Sequence, residues 1–366
     1  MSKIVIINQS PNYLMRDIAQ VFMGQYDEIV MLGAWSVNDM KTDIIRAYDK
    51  RSMTKRLITC LIATIQIFWK VIWKYRDFEL FIVSNPPTAP FLPLIVRNPF
   101  SLLIFDIYPD VLVTQHILSS KNLIIRWWQK KNRKIYAKAE RIFTISEGMK
   151  DSVCQYVEAD KIKIVPLWPN NAQIHQIKKC DNIFIKEHRL EHRFVVLYSG
   201  NLGSTHRMDV LVDVAKMVKD AVFLIIGMGA KKKLIEERIE KESCENVLLL
   251  PFQPLEKLSH VLSSADIAVV TLETGASQMS IPSKIFNLMA VGAPIMGIAS
   301  PESALGKLIE KYEMGRTFSP DDIEGMAAFV CEVKRNTILK DRFSRNAQYA
   351  SGHFTNENAR LFIVKD

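Results

Sequence analysis

The chain has 366 residues, 48 % of them apolar and 24 % charged, with 14 Gly and 15 Pro. That length predicts two domains, and the composition excludes a disordered, collagen-like or linker-dominated chain. The net charge of +9 is unevenly placed: residues 1–180 hold 25 Lys/Arg against 15 Asp/Glu, residues 181–366 hold 23 against 24. An excess confined to one half points that half toward a polyanion or an anionic membrane.

The N-terminal Met-Ser-Lys-Ile-Val-Ile-Ile-Asn reads as a strand rather than a signal peptide, because only Lys3 precedes the apolar run. Further β-rich runs follow at 28–32, 80–84, 102–105 and 141–145, with helical stretches at 13–24, 54–75, 121–140 and 147–157. A second series has strands at 194–198, 222–227, 246–250, 266–271 and 293–297. Its helices fall at 208–219, 230–242, 254–263, 282–291 and 303–312. Such alternation predicts parallel sheets covered by helices, that is, an α/β chain of two Rossmann-like domains. The boundaries read as 1–172 and 173–345, with a C-terminal helix over 346–366 returning to the first domain. No run of 18 uncharged apolar residues occurs, so no segment is read as a bilayer span. Five scattered Cys without a CxxC pair argue against a disulfide framework or a zinc ribbon and fit a reducing compartment.

In open parallel sheets, ligands bind beyond the carboxyl ends of the strands. The loop at 198–209, Tyr-Ser-Gly-Asn-Leu-Gly-Ser-Thr-His-Arg-Met-Asp, follows a strand and opens a helix. Ser199, Gly200, Asn201, Leu202 and Gly203 read either as a phosphate cradle or as a tight turn that needs glycine. His206 and Arg207 stand ready to add positive charge. Gly227 and Gly229 lie in a second Gly-x-Gly turn. Further along, Ser280 reads as a helix cap with Pro282 and Ser283 in the first turn. That puts Lys284 where the helix dipole disfavours a cation unless an anion lies opposite. A lone Lys284 would read as a solvated surface lysine. Both loops ending at one crevice favour a bound diphosphate.

The order of motifs then becomes informative: Ser84-Asn85-Pro86-Pro87, Asp106-Ile107-Tyr108-Pro109-Asp110, Ile145-Ser146-Glu147-Gly148-Met149, Tyr198 to Gly203, Gly227-x-Gly229, Ala265-Asp266-Ile267, Pro282-Ser283-Lys284-Ile285 and Ala290-x-Gly292-x-Pro294. Over residues 3–345 this order resembles the GT-B glycosyltransferases of family 4, in the branch that builds bacterial surface polysaccharides. The resemblance implies a GT-B fold with a cleft between its domains and a retaining, metal-independent transferase. It implies a UDP- or GDP-linked sugar on the C-terminal domain and a lipid-linked saccharide acceptor on the other, with no separate cofactor. Lys284 and His206 would face the departing diphosphate and Asp106 the acceptor. Phe252 and Gln253 would touch the nucleobase, and Asn287 a ribose hydroxyl. Relatives often carry two Glu with seven residues between them; Met279 and Asn287 occupy those positions, with Glu273 out of register.

Two stretches account for the basic half. Residues 51–76 hold six Lys/Arg and no acid; residues 121–141 hold eight and one acid. The first is read with a polar ribbon at Arg56, Thr59, Gln66, Lys70 and Lys74 flanked by Trp69 and Trp73. The second carries Arg126, Lys130, Lys134, Lys138 and Arg141 on one face beside Trp127 and Trp128. Basic aromatic helices suit an anionic membrane surface, here the inner face of a plasma membrane reached from the cytoplasm. The plainer reading is a pair of sheet-covering helices with solvated lysines. Two rival functions are a sugar-nucleotide epimerase of the same fold, which needs placed acid/base groups, and a basic nucleic-acid-binding protein, whose binding would be steeply salt-dependent.

Overall fold

The apolar run at 4–7 lies inside a seven-stranded sheet, flanked on both sides and buried on both faces, as interior parallel strands require. The structure, a computed structural model, describes residues 2–37, 40–49, 51–114, 117–170, 174–203, 207–272 and 281–363. Two units divide the chain: Met1–Leu167 with Asn356–Asp366, and Trp168–Thr355.

In the first unit the strands are β1 (Lys3–Ile7), β2 (Glu28–Gly33), β3 (Thr42–Ile44), β4 (Glu79–Val83), β5 (Phe100–Leu103), β6 (Ile142–Thr144) and β7 (Ile162–Ile164). They pair in the order β3-β2-β1-β4-β5-β6-β7, all parallel. Ile4–Ile7 and Leu80–Val83 are fully buried. The strand order reverses between β1 and β4, the place where such sheets form crevices.

The second unit holds β8 (Phe194–Ser199), β9 (Ala221–Ile226), β10 (Val247–Leu250), β11 (Ile267–Thr271), β12 (Ile295–Ile298) and β13 (Gly315–Phe318), in the order β10-β9-β8-β11-β12-β13, again all parallel. Its core joins Tyr198, Leu211, Phe223, Met296 and Phe329. Here the reversal lies between β8 and β11.

Three strands go beyond the sequence reading. β3 and β7 are only three residues long, and each holds a charged residue, Asp43 or Lys163, that breaks the apolar pattern. β13 opens on Gly315, whose φ of +157° and lack of a side chain allow it to lie against Ile295 O; an added Cβ would sit 1.8 Å from that oxygen. Glycine there marks close approach rather than a turn.

The expected boundary at 172/173 lies outside the described residues; the seam between the units falls after Leu167. The C-terminal segment is a 3-10 turn, Asn356–Phe362, in the first unit, where Phe362 packs edge-on to Phe143 (4.9 Å) and Phe81 (5.7 Å). Helix Thr337–Ser351 stays in the second unit instead, with Ser344 Oγ donating to Gly292 O at 2.7 Å.

The helix Met53–Trp73 corrects the sequence reading in a second way. The middle of its polar ribbon, Thr59, Gln66 and Lys70, turns toward the first unit, while Arg56 and Lys74 at its ends stay exposed. Thr59 is buried, Gln66 accepts from the Arg46 N–H at 2.6 Å, and Lys70 and Lys74 both pair with Asp43 on β3. Burial alone would push the Asp43 carboxyl up, but hydrogen bonds from Lys70, Lys74 and Tyr75 outweigh it and hold it at about 2.

Candidate active site

The carboxyl end of β8 is built by backbone locking backbone. Gly200 N–H donates to Ile226 O and Leu202 N–H to Met228 O, both at 2.9 Å, so the loop after β8 is zipped to the loop after β9. Gly227 permits this approach, since a Cβ there would stand 1.9 Å from Gly200 O. Tyr198, wholly buried, donates its hydroxyl to Asn201 O at 2.7 Å and fixes the turn from below; burial pushes its pKa up to about 12. Gly200 has φ +155°, a region open to glycine, and its missing side chain leaves room for the Lys284 ammonium, 3.0 Å from where a Cβ would lie.

This locking corrects one expectation. The Gly200 and Leu202 N–H groups are already used, so a phosphate would be left Asn201 and Gly203, whose N–H groups have no partner among the described residues. Ser199 ends β8 in register with Ile226.

Lys284 is the first residue of the helix Lys284–Ala290, with Ser283 at the N-cap making no side-chain bond. The regular helix therefore starts two residues later than expected. Pro282 lies just ahead of it, its carbonyl accepting from Ile285 N–H at 3.1 Å. The Lys284 ammonium stands 4.0 Å from the Tyr198 ring centroid, is buried, and has no hydrogen-bond partner among the described residues. Burial pulls its pKa from 10.5 to about 8. A desolvated cation–π contact contributes about 2 kcal/mol, less than the several kcal/mol that an unpaired buried charge costs. An anion would close the gap. One turn on, Asn287 Oδ1 is likewise buried without a partner among the described residues. Lys284 and Asn287, three residues apart on the same helix, thus leave a cation beside the Gly200 turn and an amide oxygen one turn on, both without a partner among the described residues.

Other expected donor residues have partners or exposure of their own. Arg207 makes a loose, exposed ion pair with Asp321 at 3.6 Å. Phe252 is exposed and Gln253 Nε2 donates to Pro251 O at 3.0 Å, both beyond the edge strand β10. His206, Glu273, Met279 and the Ser280 cap lie outside the described residues.

In the first unit, Asp106 follows β5 and is placed by Ser84 at the end of β4, whose Oγ accepts the Phe105 and Asp106 N–H groups at 3.0 and 3.3 Å. Its carboxylate reaches the surface, yet the surrounding loops withdraw enough water to raise its pKa. Asp110 does not join it. That carboxylate accepts from Gln129 (2.8 Å) and Tyr156 (2.5 Å) and ties two helices together. Sequence reasoning missed two residues at these edges. Tyr198 reads as strand core although it underlies the lysine. Gln9, fully buried after β1, donates to Arg46 O and Thr59 O while its Oε1 has no partner among the described residues.

Residues 181–349 match the family described as Glycosyl transferases group 1. That segment contains the Gly200 turn, Gly227–Gly229, Lys284 and Asn287. The chain is similar to WbjE of Pseudomonas aeruginosa, named a probable glycosyltransferase, at 23 % identity over 67 % of this chain and 62 % of that protein. It is similar to WcaI of Escherichia coli K12, named for colanic acid biosynthesis, at 24 % identity over 62 % of this chain and 56 % of that protein. The alignments therefore span less than two thirds of either relative. HepE of Anabaena, solved with UDP-glucose, superposes with a TM-score of 0.70 at 14 % identity, covering 99 % of this chain and 98 % of its own. The fold is GT-B, α/β with two Rossmann-like domains.

Proposed function

We propose that this protein is a glycosyltransferase that moves a sugar from a nucleotide-diphosphate donor to a lipid-linked glycan in the assembly of a bacterial surface polysaccharide. The observation that carries the reading is the buried Lys284 ammonium beside the Gly200 turn, which has no hydrogen-bond partner among the described residues. Glycosyl transfer leaves negative charge on the departing diphosphate, and a fixed cation in a desolvated pocket stabilises that charge more as it grows. Lys284 supplies the cation, Asn201 and Gly203 N–H groups the dipoles, and Asn287 a contact to a donor hydroxyl. Asp106, its pKa raised by desolvation, is suited to orient an acceptor hydroxyl on the first unit. His206 and Arg207 are further candidates for the diphosphate, and Phe252 and Gln253 for the base.

The finer reading is a family 4 enzyme that retains anomeric configuration, uses a UDP- or GDP-sugar without a metal, and works at the cytoplasmic face of a membrane held by its basic first half. Support comes from the motif order, the lysine in the place of a counter-ion, and the five free cysteines. Thermal shifts across UDP- and GDP-sugars test the donor, since a ligand that binds only the folded chain raises its stability. Transfer should persist in EDTA; abolition by chelator and rescue by magnesium would overturn the metal-free reading. Proton NMR of the fresh product reports the anomer.

A further inference from the structure

The helix Met53–Trp73 is packed the wrong way round for a surface helix. Thr59, Ala63, Ile67 and Val71, at four-residue steps, form the narrow stripe that docks it on the first unit. Gln66 is committed to Arg46, and Lys70 and Lys74 to Asp43. Left facing outward are Leu57, Ile58, Leu61, Ile65, Trp69 and Trp73, each half to two-thirds exposed. The face continues sideways. The Thr64 hydroxyl bonds that of Thr88, at the head of the 3-10 turn Ala89–Leu94, and Phe91 of that turn lies 5.6 and 5.2 Å from Trp127 and Trp128. Exposed Leu94, Ile95, Leu123, Ile124 and Trp127 extend the patch onto the helix Leu123–Lys138. Scattered apolar side chains are normal on a surface; a continuous face across two helices is not.

Three occupants can be weighed. By length and composition, residues 54–73 would cross a bilayer. A span would strip away the docking stripe and both Asp43 ion pairs, so crossing conflicts with the fold. A second copy of the chain would cover the face, but a two-fold contact brings each rim against its own kind. The rims are basic: with Arg51 paired to Asp49 and Lys70 and Lys74 to Asp43, the first helix still presents Lys55, Arg56 and Arg76, and residues 121–141 hold eight Lys/Arg and one acid. Like charges pressed together oppose that contact. Anionic lipid answers both features, acyl chains meeting the apolar face and headgroups meeting Lys55, Arg56, Arg76, Arg126 and Lys130, all exposed.

We propose that the outward face of Met53–Trp73, with Leu94, Ile95 and Trp127, is embedded in one leaflet of an anionic bilayer, the helix lying in the membrane plane. This deepens the reading of a membrane-held first half, which by itself needs only charge. Insertion and adhesion differ in salt dependence: screening weakens charge contacts and leaves apolar burial in place.

The test uses the full chain floated with vesicles of phosphatidylcholine alone or mixed with phosphatidylglycerol, at about 0.1 M and about 1 M salt. Wild type should stay bound at high salt. The double variant Leu61→Glu/Ile65→Glu should lose about a hundredfold in partitioning at either salt, with its melting temperature and its transfer to a soluble acceptor unchanged. Lys130→Glu/Lys134→Glu/Lys138→Glu should lose only the low-salt preference for anionic vesicles. Complete release of wild type at high salt, or a double variant that binds as wild type does, would overturn insertion while leaving charge-held adhesion standing. A lipid-free dimer broken by the double variant, or a fall in its melting temperature, would show that protein covers the face and would also overturn it. Soluble-acceptor transfer is read separately, so failure of insertion and failure of the transferase reading are distinct results.

Discussion

Lys284 binds its proton less tightly in the folded chain, at about 8, than at its ordinary 10.5. The charged form is therefore disfavoured by folding. The cost is fully present below pH 8 and fades as pH rises from 8 to 10.5, where the unfolded chain still holds the proton and the folded one has released it. Lys284→Met keeps the volume and removes the charge. It should raise stability at pH 7 by on the order of 3 kcal/mol, a gain that vanishes near pH 10.5, as read by denaturant unfolding at both values. The same variant should lose about a hundredfold in transfer at saturating donor. Gain and loss together would assign the residue to function rather than to fold; a variant less stable at pH 7 would refute the unpaired charge. A bound diphosphate restores the proton, so donor affinity should hold steady below pH 8 and then fall about tenfold per unit above it. Affinity flat to pH 10 would remove Lys284 from the donor site.

At the scale of elements, the site depends on two loops held together through their backbones. Gly227→Ala puts a methyl 1.9 Å from Gly200 O, a clash that only a backbone shift relieves. Overpacking of this kind costs about 1–3 kcal/mol, and it moves the Gly200 turn away from Lys284. Donor-induced thermal shift should shrink more than the melting temperature of the free protein falls; an unchanged donor shift would mean that the turn does not contact donor. These loops were legible because glycines after apolar strands carry a local signal, and so does a lysine between Pro282 and an apolar helix. The long central strands were legible for the same reason, as unbroken apolar runs. Short edges were not: β3 and β7 depend on pairing with β2 and β6, which no local pattern encodes. The use of Gly200 and Leu202 N–H groups by the β9 loop was equally hidden, being a contact between segments 27 residues apart at Gly200 and Gly227. The ribbon on Met53–Trp73 was seen without the neighbour that Lys70 and Lys74 meet, because periodicity finds a face without saying what it packs on. Asp43, on an unrecognised strand, was that neighbour.

Across the whole molecule, charge is divided by function. Residues 1–180 carry a net +10 and residues 181–366 a net −1, so the half assigned to the acceptor is the half drawn to anionic lipid. The half proposed to hold a doubly charged donor has almost no net charge, so the donor would be met by local groups, Lys284 foremost among them. This division makes acceptor use, and not donor use, depend on the surface presented. Transfer to a lipid-linked acceptor should be faster on anionic than on neutral vesicles at equal acceptor density, while a short soluble acceptor shows no such difference. Each Lys near an anionic surface is worth about 1 kcal/mol. Lys130→Glu/Lys134→Glu/Lys138→Glu should therefore raise the apparent KM for the lipid-linked acceptor by at least about a hundredfold at low salt. The gap should narrow as salt approaches about 1 M, where the screening length falls to about 3 Å. Donor KM and the turnover with soluble acceptor should not move, because all three side chains are exposed on the helix Leu123–Lys138, outside both candidate sites. A variant slowed equally with soluble and lipid-linked acceptors would place that helix in the chemistry or in the stability of the first unit. One unaffected with either would leave its lysines as a solvated face, with acceptor access owed to the apolar helix alone.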